Sequence, residues 1–423
     1  MNVINPIMRY SPAASVLFFL LPFAQAQPAE ITVKEWTVPT PNSAPHDVVV
    51  DKNGIVWFTE INANKIGRFD PKTEQFQEYP IPTPSSRPHG LVVDGQGNVW
   101  FTEVGAGKIG ELNPETGKIV EYTTPTPNSG PHTPILAEDD ILWFTEQRAS
   151  KIGRLDIRSG EIAEFATLTP SANPYGIIVD AEGNAWFAEL QGHHIGKVDA
   201  KTGEVTEYSP PTVQSGPRRI AIDSNGILWF TEYNIGKIGS FNPETGEMVE
   251  YDTSTESSGP YAIWVDIYDN VWFSLTGIHK VGKFDQNTQK LYEYDLPSPE
   301  THIKFIHTDE HGNVWFPNYN NNKIGVVLAE TPAGSEEKSV PVTDVPKPEN
   351  EEKIPVEKPQ TELEDPVVEP SGDTPAAEQE ISSEVQLIGI PVMILSIAIG
   401  VIGVTAAIMI FVRKRAILKK SNY

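Results

Sequence analysis

The chain contains no cysteine among its 423 residues, so neither disulfides nor thiolate metal sites hold it together. Basic residues are scarce: 32 Lys and Arg stand against 57 Asp and Glu, giving a net charge of −25. A chain without a basic face cannot neutralise a phosphate backbone, which excludes nucleic acid as the expected partner. No Asn-x-Ser/Thr sequon occurs. Gly-x-Ser-x-Gly, a phosphate-binding loop and His-Glu-x-x-His are all missing, which removes the commonest hydrolase, nucleotide and zinc-protease readings.

What is there is a repeat. Trp-Phe recurs every 43 residues, from Trp57 through Trp100, Trp143, Trp186, Trp229 and Trp272 to Trp315. A period of this length fits a blade of four short strands, and seven such units close into a β-propeller. Within each unit, short β-branched and aromatic runs alternate with Gly, Asn, Asp and Pro, which reads as strands A to D joined by turns. A second ladder of Glu-aromatic pairs, Glu35-Trp36 to Glu293-Tyr294, marks strand D. Its first rung precedes the first Trp-Phe, and the last unit stops at strand C near Ala329. Ile31–Val38 is therefore expected to supply strand D of the final blade, closing the ring without a free edge. Gly67 and its six equivalents are expected where a side chain clashes or φ is positive. The Trp-Phe pairs are expected to fill the spaces between blades.

The predicted architecture is an all-β, seven-bladed propeller over 27–330, flanked by other segments. Residues 1–26 read as a signal peptide: Arg9, an apolar run Ala13–Ala24, and Ala24-Gln25-Ala26 for cleavage. Residues 331–385 are rich in Pro and Glu and poor in aromatics, as in a disordered stalk. Residues 386–412 are long and apolar enough for a transmembrane helix. The basic segment 413–423 places that end in the cytoplasm. The expected location is the cell membrane, crossed once, with the propeller outside.

Strands A and B are antiparallel, so the start of A lies beside the end of B at the mouth of the central channel. The start of A varies from blade to blade: His46, His89, His132, Tyr175, Arg218, Tyr261, Lys304. The end of B reads Glu60, Glu103, Glu146, Glu189, Glu232, Leu275, Asn318. Imidazole beside carboxylate is the material of general acid–base catalysis, and Glu60, Glu103 and Glu146 are candidate ligands for a divalent cation. The same glutamates have a second reading, as acceptors for loop backbone. The mouth is expected to take a small-molecule or peptide ligand, with Arg87, Tyr175, Arg218, Tyr261 and Lys304 beside His46. His193, His194, His279 and His311 are expected in solvated loops. Asp94-Gly95-Gln96-Gly97-Asn98 reads as a turn rather than a calcium loop.

The repeated Pro-His-Gly, Asp-x-x-Gly-Asn-x-Trp-Phe-Thr-Glu and Lys-Ile-Gly resemble the streptogramin B (virginiamycin B) lyases over Ile31–Ala329. The resemblance implies eliminative opening of a cyclic depsipeptide ester with Mg2+. It implies a His at the start of A in one blade, then Glu-Pro-His in the next blade with the Glu that ends its strand B. Two registers match in part. One uses His89, His132 and Glu146, and the other His46, His89 and Glu103; the second His of each is the implied base. Where the family has Glu before the second His, this chain has Gly130 or Arg87. A non-catalytic propeller displaying a ligand- or protein-binding face is the alternative.

Overall fold

A computed structural model describes residues 31–329, apart from 138, 139, 254 and 256. The expected signal peptide, stalk, transmembrane helix and basic tail lie outside the described residues.

The described residues form seven four-stranded antiparallel sheets, one per 43-residue unit. Blade 1 consists of Pro45–Val50, Val56–Glu60, Lys65–Asp70 and Gln75–Pro80 as strands A to D. Blades 2 to 6 repeat this order. Blade 7 is completed from the other end of the sequence: Thr32–Thr37 pairs antiparallel with Lys323–Leu328, from Thr32 opposite Leu328 to Thr37 opposite Lys323. The ring therefore closes with a strand from the N-terminal side, as the offset ladders predict.

Seven apolar clusters sit at the seven joints between blades. Each joins the Trp of one blade to the Phe of the next, as Trp57 with Phe101 and Trp315 with Phe58. Successive strand-B side chains point to opposite faces, so adjacent Trp and Phe serve adjacent joints. In six blades the indole N–H donates to the Asp that follows strand A, as Trp100 to Asp94 at 3.0 Å, and blade 3 has Ala137 in that place. Asp94 also accepts the backbone N–H groups of Gln96 and Asn98. Its acceptor capacity goes to the turn, which is the bland reading of the Asp-rich segment.

The repeated Gly has one cause, not two. A Cβ on Gly110 would lie 2.1 Å from the Phe101 ring, and Gly67, Gly153 and Gly196 face their own Phe at the same distance. None of these adopts positive φ; the ring of the neighbouring strand leaves no room for a methyl group.

Hydroxyls stitch the inner strands of adjacent blades. Thr59 Oγ1 donates to the His89 carbonyl at 2.8 Å, and Thr102 to that of His132 at 2.7 Å. Blade 7 departs from the pattern, its strand A being reduced to His307–Thr308. Pro317 stands where the others have Thr, Ala or Ser, and it brings neither an N–H nor a hydroxyl to that strand. Lys304 therefore reaches the mouth from irregular backbone beside a single bridge, Ile303 to Asn318.

Candidate site at the channel mouth

In blades 1 to 6 the A–B ladder slips after its first residue, as between Pro45 and Val48, Pro88 and Leu91, and Pro131 and Pro134. A bulge of this kind bends the strand and re-aims its side chains. It falls on the variable rung and delivers those residues to a mouth cavity of about 430 Å³. His46, His89, His132, Tyr175, Arg218, Lys304 and Arg87 all line it. Tyr261 adjoins them beneath Arg218.

The three imidazoles form a stack, with ring centroids 3.9 Å apart for His46–His89 and 3.6 Å for His89–His132. Tyr175 continues the stack at 4.0 Å from His132. Burial holds all three histidines well below the ordinary histidine range, and nearby cations and the other imidazoles push the same way. They are neutral at pH 7. Across the mouth, the Arg218 guanidinium lies 3.7 Å from the Tyr261 ring centroid and 4.5 Å from that of Tyr175. It donates to the Tyr175 hydroxyl at 3.0 Å, and the hydroxyls of Tyr175 and Tyr261 bond each other. Burial, with Arg218 and Arg219 nearby, lowers the Lys304 ammonium to about 8. Two polar atoms here are buried without a hydrogen-bond partner, His89 Nδ1 and Arg218 Nε.

The strand-end glutamates are placed differently from the expectation. Glu60, Glu103 and Glu146 are buried but are not among the residues lining the mouth; Ile61, Val104 and Gln147, one residue further on, take that place. Their neighbours are the strand-D carboxylates and strand-C lysines of their own blades. Nor do they cap loop backbone: no backbone N–H bonds their oxygens, and the hydroxyls of Ser43, Ser86 and Ser129 lie beside them. That role belongs to the strand-D rung: Glu78 accepts the Thr40 N–H and hydroxyl and the Lys65 ammonium.

Burial, reinforced by the strand-D carboxylate, raises Glu103 to about 8, and burial raises Glu60 and Glu146 to about 7. A carboxyl raised in the folded state destabilises the fold progressively as pH rises from the unfolded value toward the folded one. Glu103→Gln removes that penalty. The variant is expected to gain on the order of 1–3 kcal/mol over wild type at pH 9 and almost nothing at pH 4. Denaturant unfolding at the two pH values measures this, and an equal effect at both would show that Glu103 does not titrate in that window.

A second layer lies one residue further along strand A and was not singled out in the sequence. Arg219 donates from Nη1 to Thr133 Oγ1 at 2.9 Å and from Nη2 to Asp47 Oδ1 at 3.2 Å. Asp47 also meets His46 Nδ1 at 2.7 Å. Arg219 is 2% exposed, so blade 5 is tied across the channel to blades 1 and 3. The available signal was a second uneven rung, Asp47, Gly90, Thr133, Gly176, Arg219, Ala262 and Phe305. The other end of the channel opens into an apolar cavity of about 450 Å³, lined by Leu136, Ile177, Ile220, Trp264 and Phe305. His302, Tyr233 and Tyr319 also border the mouth or its cations.

The virginiamycin B lyase family profile matches residues 27–142 and 134–349, most of the chain and all seven blades. The chain belongs to the virginiamycin B lyase family. A solved streptogramin B lyase is 33% identical, with a TM-score of 0.66 over 70% of this chain and 97% of that one. Virginiamycin B lyase from Staphylococcus aureus is 31% identical, with a TM-score of 0.67 over 71% of this chain and 100% of its own. A catalytically inactive variant of the S. aureus enzyme, solved with quinupristin, is 30% identical with the same TM-score. An extracellular domain of a putative one-component system from B. thetaiotaomicron shares the fold at 18% identity and a TM-score of 0.54, over 68% of this chain and 41% of that one. No curated protein matches the sequence. This chain presents a histidine arc at the mouth and has Glu-Pro-His in no blade.

Proposed function

We propose that the channel mouth binds a small ligand rich in hydrogen-bond acceptors, an ester, amide or carboxylate group, and that the propeller displays this site at the outer face of the membrane. One observation carries the reading: a stack of neutral imidazoles faces Arg218 and Lys304 across one cavity, with the unpartnered His89 Nδ1 and Arg218 Nε buried at its wall. Buried polar atoms are normally satisfied, so two left open at a mouth suit a ligand.

The residues present do not fit magnesium at the mouth. Mg2+ takes oxygen ligands and keeps several waters. The donors here are imidazoles, and the one adjoining carboxylate, Asp47, is already bonded to Arg219. Gly130 and Arg87 stand where the family's Glu is implied, and Arg87 adds a cation. No step is therefore routed through a metal.

A lyase is the second reading, favoured by His132. Its Nδ1 meets Thr133 Oγ1 at 3.0 Å, which fixes the ring, and its neutral form can take a proton from a carbon that is acidified by its own carbonyl and adjacent to the carbon bearing the ester oxygen, so that a C=C bond forms as the C–O bond breaks and the acyl half leaves as carboxylate. The leaving carboxylate and the developing enolate would then face Arg218 and Lys304.

The test uses the full-length protein with streptogramin B and a linear depsipeptide, in magnesium and in chelator. Calorimetry reads binding, and chromatography with fragmentation mass spectrometry reads ring opening, because elimination gives a linear isomer of unchanged mass. Wild type is expected to bind regardless of magnesium, with affinity reduced about 10- to 100-fold in Arg218→Ala, the worth of a charged hydrogen bond. Ring opening that His132→Ala abolishes would establish the lyase. Absence of binding, or binding unchanged in Arg218→Ala, overturns the assignment to the mouth.

A further inference from the structure

Blade 4 breaks the pattern of the other six at one rung. The position that opens strand C is Lys65, Lys108, Lys151, Lys237, Lys280 or Lys323 elsewhere; in blade 4 the equivalent residue is His194, immediately before strand Ile195–Val198. In five blades that lysine lies 2.6–3.1 Å from the strand-D glutamate. Blade 4 keeps both of its glutamates, Glu189 ending strand B and Glu207 in strand D, and loses the ammonium between them. His194, expected in a solvated loop, is instead half-buried with Nδ1 3.3 Å from Glu189 Oε2 and 3.5 Å from Glu207 Oε2.

We propose that Glu189, His194 and Glu207 bind a divalent transition-metal ion of the zinc class. One ligand atom from each lies within 4.8 Å of the other two. Zinc bonds of about 2.0–2.1 Å to N and O in a tetrahedron place neighbouring ligand atoms about 3.3–3.4 Å apart. The two separations measured from the imidazole nitrogen already have that size. Glu189 is fully buried, and its Oε1 has no hydrogen-bond partner. Glu207 is held in place by Thr169 N and Leu168 N, which donate to Oε1, and by Thr169 Oγ1, which donates to Oε2 and also lies 3.3 Å from His194 Nδ1. Metal-binding carboxylates characteristically have such supporting bonds. The His194 side chain is 26% exposed, leaving a path for the ion and a fourth position for water. A nitrogen donor with two carboxylates favours zinc over magnesium or calcium, which prefer all-oxygen sets. The other close triad, His46, Asp47 and His89, has the Arg219 guanidinium on its carboxylate and no room for a second cation.

The competing reading is that His194 merely replaces lysine as the cation of an ion pair. His194→Lys separates the two, because it restores the arrangement of five sister blades and so preserves the fold. Full-length protein freed of metal by chelator would be titrated with Zn2+ by calorimetry and with Co2+ by visible absorption. Wild type is expected to take up one equivalent at this site, give the intense absorption of tetrahedral Co2+, and gain thermal stability with Zn2+. His194→Lys and Glu207→Gln are expected to lose that equivalent, its absorption and its stabilisation, while His89→Ala keeps them. Failure of wild type to bind, full binding by His194→Lys, or loss confined to His89→Ala would overturn the site.

Discussion

Arg219→Ala is expected to destabilise the protein by about 3–5 kcal/mol, the usual cost of stripping one partner from a buried ion pair. The wild-type guanidinium is almost fully buried, bonded to Asp47 and Thr133. Removing it leaves the buried Asp47 carboxylate with only the His46 and His89 imidazoles as close polar neighbours. Burial already raises the Asp47 carboxyl against the pull of Arg219, so without Arg219 it would take up a proton or draw water into the channel. Replacing both charges, as Arg219→Met with Asp47→Asn, is expected to recover most of the loss, because the pair's own net contribution is small compared with the penalty for breaking it. Urea unfolding of the single and double variants measures both quantities. A single variant within 1 kcal/mol of wild type would mean that the cross-channel tie holds nothing.

Deleting residues 31–38 is expected to have the other large effect. The deletion removes strand D of blade 7 and bares Lys323–Leu328 along its whole length. Trp36, stacked 5.9 Å from Trp315 and 4.9 Å from Phe69, leaves the joint between blades 7 and 1. Val38, 1% exposed, leaves the same cluster. Together these losses amount to roughly 5 kcal/mol or more on the scale of buried aromatic and aliphatic truncations. For a domain of this size that is about 8 °C or more in Tm. The bared strand is also an edge able to pair with a second chain. Thermal unfolding with light scattering would show a lower Tm and self-association. A monomer of unchanged Tm would show that the ring does not depend on its closing strand.

The ring was legible in the sequence because its constraints repeat. Trp57 and its equivalents recur because each joint needs the same indole, and Gly110 recurs because Phe101 occupies the place of its side chain. Even the closing strand was legible, since two ladders offset by part of a blade have one closed solution. The site was legible in part. Unevenness at the start of strand A picks out His46, His89, His132 and Arg218, which the bulges bring to one cavity, and Lys304, which joins them there from irregular backbone.

Three features escaped. The alternation of strand B fixes that Glu103 lies on the face of Phe101, but not whether that face meets channel or neighbouring blade; packing sets the carboxylate back. Arg219 carries no local signature, because its partners, Asp47 and Thr133, are 172 and 86 residues away. His194 is the loop residue its sequence predicts, but the fold turns it inward between Glu189 and Glu207.

By itself the sequence determined the number of blades, their strand order, the closure of the ring and the rung that forms its mouth, because each is a local pattern repeated at a fixed period. Only the tertiary structure decided which carboxylates face the channel, which cation plugs it and which glutamates share a histidine. Those depend on distances between blades, and no period along the chain encodes a distance across the ring.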